Sequence, residues 1–124
     1  MLRHEISIGT LAFVVLSLVA APASAHPTLK SANPAADVAS TGAPAQITLD
    51  FSEGVIARFS GLELKDESGK TIATGVATTD PKDRKRLVVP VRAPLTPGRY
   101  TVNWHVVSED THRVQGQYSF RIGR

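Results

Sequence analysis

The chain contains no cysteine. Disulfides therefore cannot staple it, even in an oxidising compartment, and thiolate metal sites and thiol catalysis are excluded. No ten-residue stretch after the amino-terminal region carries apolar residues at helical spacing, which argues against a helical domain. Internal repeats are absent, and 124 residues leave room for one domain rather than two. A large excess of one charge is also lacking. Lys and Arg number 14 against 11 Asp and Glu; taking away Arg3 and Glu5, which precede residue 26, leaves 13 against 10. The one basic cluster, Lys82-Asp83-Arg84-Lys85-Arg86, follows Pro81 and has no interleaved aromatics. It reads as a solvated loop running into a strand, and no nucleic-acid partner is expected.

What is present begins with a leader. Arg3 and His4 give a weakly basic start, Thr10 to Ala21 is almost unbroken apolar, and Pro22 then Ala23-Ser24-Ala25 follow. These are the three regions of a secretory signal peptide, assigned to residues 1–25. The apolar run is too short for a bilayer span, which takes about 20 residues. Cleavage after Ala25 predicts a soluble, exported mature domain of residues 26–124.

That domain has strand periodicity throughout. Ile47, Leu49 and Phe51 share one face of a run; so do Leu62 and Leu64, then Leu87, Val89 and Val91, then Tyr100, Val102, Trp104 and Val106, and finally Tyr118, Phe120 and Ile122. Period-two alternation buries one face of each strand and wets the other. Asp66-Glu67-Ser68-Gly69, Asp80-Pro81 and Thr96-Pro97-Gly98 punctuate the runs as turns. The expectation is an all-β sandwich or small barrel of about seven strands and immunoglobulin-like size. Its core should hold Phe51, Phe59, Tyr100, Trp104, Tyr118 and Phe120. Ala32 to Pro44 reads as a long irregular connection, and the last strand as starting near Gly116.

Two groups could hold a metal. Cleavage would make His26 the first residue, and its α-amine and imidazole would chelate one ion. Pro27 has no backbone N–H, so the second amide cannot add a ligand. Ser108-Glu109-Asp110-Thr111-His112 lies between the last two strands. In an extended segment, residues two apart point the same way, so Asp110 and His112 should project together. Three nitrogens and one oxygen, in tetragonal arrangement, suit Cu(II) or Ni(II), and Cu(II) tops the divalent affinity order for such a set.

Taken together, these segments resemble the CopC family of bacterial periplasmic copper-binding proteins. The matching parts are His26-Pro27 leading to Asn33-Pro34, Leu49-Asp50-Phe51-Ser52-Glu53, the run from Pro97 to Trp104, and Val107 to His112 with Gly116 and Phe120 after it. The resemblance implies an immunoglobulin-like, cupredoxin-like Greek-key β-barrel. It implies a Cu(II) site from the His26 amine and imidazole, Asp110 and His112. It also sets Glu53 near that site, either as an axial ligand or an acceptor orienting an imidazole, or else as a solvent-facing strand-end residue. His105 should face away, at the surface. A methionine-rich loop binding Cu(I) occurs in some members, but Glu63 to Val76 has neither Met nor His, so a Cu(II)-only version is expected.

The function these readings predict is a periplasmic Cu(II) carrier or buffer in copper homeostasis or resistance, monomeric, with no catalytic residues. A CopD-type inner-membrane copper transport protein is the implied partner. Two other readings stand beside it. The first is a copper oxidase or monooxygenase of the histidine-brace type; it needs an open equatorial position, which Asp110 would fill. The second is a metal-free immunoglobulin-like interaction module, for which substitutions at His26, Asp110 or His112 would leave copper behaviour unchanged.

Overall fold

The computed structural model describes residues 26–123, with Gly9, Ala12, Val14 and Val15 ahead of them. The leader's cleavage site lies outside the described residues. No helix among the described residues is long and apolar enough to cross a membrane.

Nine strands form among these residues: β1 Leu29–Asn33, β2 Ala39–Ser40, β3 Gln46–Phe51, β4 Gly61–Lys65, β5 Thr71–Ile72, β6 Thr78–Asp80, β7 Asp83–Pro90, β8 Gly98–Val107 and β9 Arg113–Ile122. One sheet runs β1-β3-β7-β6 and the other β2-β9-β8-β4-β5. The chain crosses between sheets from β1 to β2, β2 to β3, β3 to β4, β5 to β6 and β7 to β8, a Greek-key winding of an all-β barrel.

The core lies between the two inner faces. Ile47, Leu49, Leu64, Leu87, Val102 and Val106 are wholly buried there, with Phe120 at 1% exposure. Tyr100 stacks on Phe120 with centroids 5.6 Å apart. Its hydroxyl donates to the Thr96 carbonyl at 2.7 Å, closing the turn before β8. Trp104 packs edge-on to Phe51 at 5.3 Å and lies across Gly116 on the paired strand.

Several expectations are corrected. The strands number nine rather than about seven, because β2 and β5 are two-residue pairings without a periodic signature. The stretch 32–44 is not wholly irregular, since Ala32 and Asn33 belong to β1, and β2 pairs parallel with β9. β9 starts at Arg113, not near Gly116. More of the basic cluster is strand than the sequence implied: β7 begins at Asp83, with Asp83, Arg84 and Lys85 exposed and Arg86 partly buried. Phe59 is not core. It sits in a single 3-10 turn, Ala57–Phe59, off the strand lattice. It is 49% exposed, with the Arg58 guanidinium 4.6 Å above its ring.

Two predictions follow from this packing. A Cβ on Gly116 would lie 2.5 Å from Trp104 Cζ2 and 2.8 Å from Cε2, so Gly116→Ala should overpack the barrel. The expected loss is about 1–3 kcal/mol in urea unfolding, and an unchanged midpoint would contradict it. The second concerns Asp50, paired with Arg86 at 2.7 Å. The Arg86 hydrogen bond, aided by Ser31, outweighs burial and holds the Asp50 carboxyl below its ordinary value of 3.8. A depressed carboxylate stabilises the fold above the unfolded value and stops doing so as pH falls through the folded one. Asp50→Asn should therefore flatten the fall in melting temperature between about pH 4 and pH 2. Both side chains are partly exposed, so solvent screens the pair and keeps its contribution at neutral pH small. Parallel pH profiles for the two proteins would remove this pair from acid unfolding.

Candidate metal centre

Antiparallel pairing brings four strand ends to one pole of the barrel. Leu29 at the start of β1 faces Phe51 at the end of β3. The end of β8 and start of β9 meet at Val107 and Arg113. A bridge between Val55 and Ser108 ties the exit of β3 to the β8–β9 loop across the two sheets.

His26 is exposed at the start of this domain, but the residues after it are fixed. Pro27 is fully buried. Thr28 N–H donates to Ser52 Oγ at 2.8 Å, and Ser52 N–H donates to the Thr28 carbonyl at 2.9 Å. This reciprocal pair pins the chain two residues from His26.

Asp110 and His112 do come together, for a different reason than the one expected. The segment is a closed turn rather than an extended strand. Ser108 N–H donates to the His112 carbonyl at 2.9 Å and Thr111 N–H to the Ser108 carbonyl at 2.8 Å. Thr111 takes the left-handed conformation at φ 69°, which lets the chain reverse. At the centre sits Ser108, with no exposed surface. Its hydroxyl donates to Asp110 Oδ1 and accepts the His112 N–H at 3.1 Å. The Ser108 hydroxyl first, then the His112 ring, holds the Asp110 carboxyl below the usual range.

The other Asp110 oxygen, Oδ2, lies 3.1 Å from His112 Nδ1. The alignment is too poor for a hydrogen bond, and Nδ1 is a buried nitrogen without a hydrogen-bond partner. Two donors each about 2 Å from one ion, at right angles, are about 3 Å apart. The His26 ring stands edge-on to the His112 ring, centroids 5.1 Å apart at 82°. An orphaned imidazole nitrogen, a carboxylate oxygen at ligand spacing and a second imidazole in reach form a donor set that fits a metal ion. The fit is pairwise: among the described residues no group of three or more His, Cys, Asp or Glu is already gathered for ligation. In the uncleaved chain the His26 backbone nitrogen is a peptide nitrogen, not an amine.

Glu53, half-buried beside Ser52, makes no hydrogen bond or ion pair to His26, Asp110 or His112 among the described residues. His105 is exposed on β8, paired with Gly61, as expected. Sequence reasoning overlooked Ser52 and Ser108. Ser108 had left a trace: Val106, Val107 and Ser108 are buried in succession, a break in period-two alternation that a strand end folded inward would make.

The CopC domain family model matches residues 29–123. Protein YobA of Escherichia coli K12 is 44% identical over 112 residues, covering 90% of each chain. Copper resistance protein C of Pseudomonas syringae pv. tomato is 38% identical over 127 residues, covering 98% of this chain and 99% of its own. The crystal structure of PcoC, a methionine-rich copper resistance protein from Escherichia coli, superposes with a TM-score of 0.70 at 39% identity, covering 80% of this chain and 100% of that one.

Ser108→Ala strips a buried hydroxyl from both Asp110 and the His112 amide. The expected cost is about 1–3 kcal/mol of stability, together with loss of the fixed Asp110–His112 spacing. Thermal unfolding checks the first and the His112 ring resonances check the second; a variant unchanged in both would show that the turn does not depend on Ser108.

Proposed function

This chain belongs to the CopC family, and from that premise we propose that it is a periplasmic Cu(II) carrier or buffer serving copper homeostasis or resistance. The carrying observation is the buried, unpartnered His112 Nδ1 facing Asp110 Oδ2 at 3.1 Å. Signal cleavage after Ala25 supplies the α-amine of His26. The amine and imidazole of His26 with Asp110 and His112 make a three-nitrogen, one-oxygen set, which favours tetragonal Cu(II). With no cysteine and only Met1 in the chain, soft ligation of Cu(I) has no donors in the mature domain. Glu53 is either an axial oxygen or an acceptor orienting an imidazole, or else a solvent-facing residue at the end of β3.

Asp110 in the fourth equatorial position supports a carrier over a histidine-brace oxidase, which must keep that position open for oxygen. A monomer handing copper to a CopD-type inner-membrane transport protein completes the reading.

The deciding experiment titrates Cu(II) into protein starting at His26 and into the same protein with one residue ahead of it, read by electron paramagnetic resonance. The expected result is one equivalent in a tetragonal, nitrogen-rich centre. The extended form should show a changed spectrum and an affinity lower by about 100-fold, roughly 2.7 kcal/mol. Asp110→Asn and His112→Ala should weaken binding similarly, and His105→Ala should not. Equal, weak binding by both forms would sink the proposal, and rapid peroxide formation with copper and a reductant would favour the oxidase.

A further inference from the structure

The β8–β9 loop holds two neighbouring carboxylates, Glu109 and Asp110. Both are hard oxygen donors, and Glu109 is the longer and is half-exposed. Sequence order alone does not say why the shorter one should face the metal.

We propose that Arg84 and Gly54 make this choice by holding Glu109 away from the ion, so that of the two loop carboxylates only Asp110 reaches it. The inference rests on the copper reading above. The Glu109 carboxylate sits in a seat over Gly54. A Cβ at residue 54 would lie 2.7 Å from Glu109 Cδ and 2.9 Å from each carboxylate oxygen. The seat therefore exists only because residue 54 has no side chain. Arg84 Nη1 closes it from the other side, 3.0 Å from Glu109 Oε1.

Backbone bonds keep the seat, the arginine and the loop in register. Glu109 N–H donates to the Gly54 carbonyl at 3.0 Å, and Val55 N–H donates to the Arg84 carbonyl at 3.0 Å. Glu109 and Arg84 line a cavity of about 520 Å³ with Val55, Ile56 and Thr79. None of His26, Glu53, Asp110 and His112 lines it. Glu109 thus faces β6 and β7, while Asp110, bound by Ser108, faces His112.

The two restraints differ in strength. Arg84 is 79% exposed, so its ion pair biases Glu109 by about fivefold at most. A Cβ at residue 54 is a steric block. Gly54 does not have the positive φ that would bar alanine, and the obstructed group is the flexible end of a glutamate. Gly54→Ala should therefore fold and evict the carboxylate.

The test compares Cu(II) paramagnetic resonance spectra of proteins starting at His26. The wild type should show one species. Arg84→Gln should add a minor second species, and Gly54→Ala a larger one. Both should vanish when Glu109→Gln is added, since the amide is a poor ligand. An unchanged single species in both variants overturns the inference, as does a second species that survives Glu109→Gln. Should Gly54→Ala fail to fold, Arg84→Gln with and without Glu109→Gln decides by the same two outcomes. A wild type without an Asp110-dependent copper centre fails earlier, at the function itself, and takes this inference with it.

Discussion

The arrangement of the pole depends on one buried hydroxyl. Ser108 has no exposed surface, and a buried hydroxyl left unpaired costs about 1–3 kcal/mol. The partners that satisfy it are the Asp110 carboxylate and the His112 amide. Closing the barrel thus forces the two residues into one turn. The site geometry follows from the folding of the core rather than from a separate ordering step, because the Val55–Ser108 bridge belongs to the barrel seam.

The amino-terminal side is held by the same logic with weaker means. Pro27 is buried and Thr28 is locked to Ser52, but His26 itself is exposed. Asp110 and His112 are thus held by the Ser108 turn, whereas His26 is anchored only through the residues that follow it. Cleavage before His26, as proposed, would add an amine to the imidazole it already offers.

Charge is managed locally around this pole. Asp50 is balanced by Arg86 at the end of β3, and Glu109 by Arg84 at the start of β7. Both arginines come from one strand, β7, within the cluster that the sequence read as a solvated loop running into a strand. Set two residues apart on β7, they share its outward face and meet carboxylates on two different segments.

The sequence by itself determined the all-β class, the inward rows on β3, β7, β8 and β9, and the candidate set His26, Asp110 and His112. Those readings rest on period-two burial and on donor chemistry, which are local. It misjudged Phe59, since residues in a turn off the strand lattice carry no face. It missed β2 and β5, which are too short to show a period. Only the tertiary structure decided that Asp110 and His112 converge through a turn closed on Ser108, that Ser52 pins Thr28, and that Gly54 seats Glu109. Each joins residues distant in the chain or reverses its direction at a positive φ. A one-dimensional pattern records neither, because the forces responsible are burial and hydrogen-bond satisfaction across the two sheets.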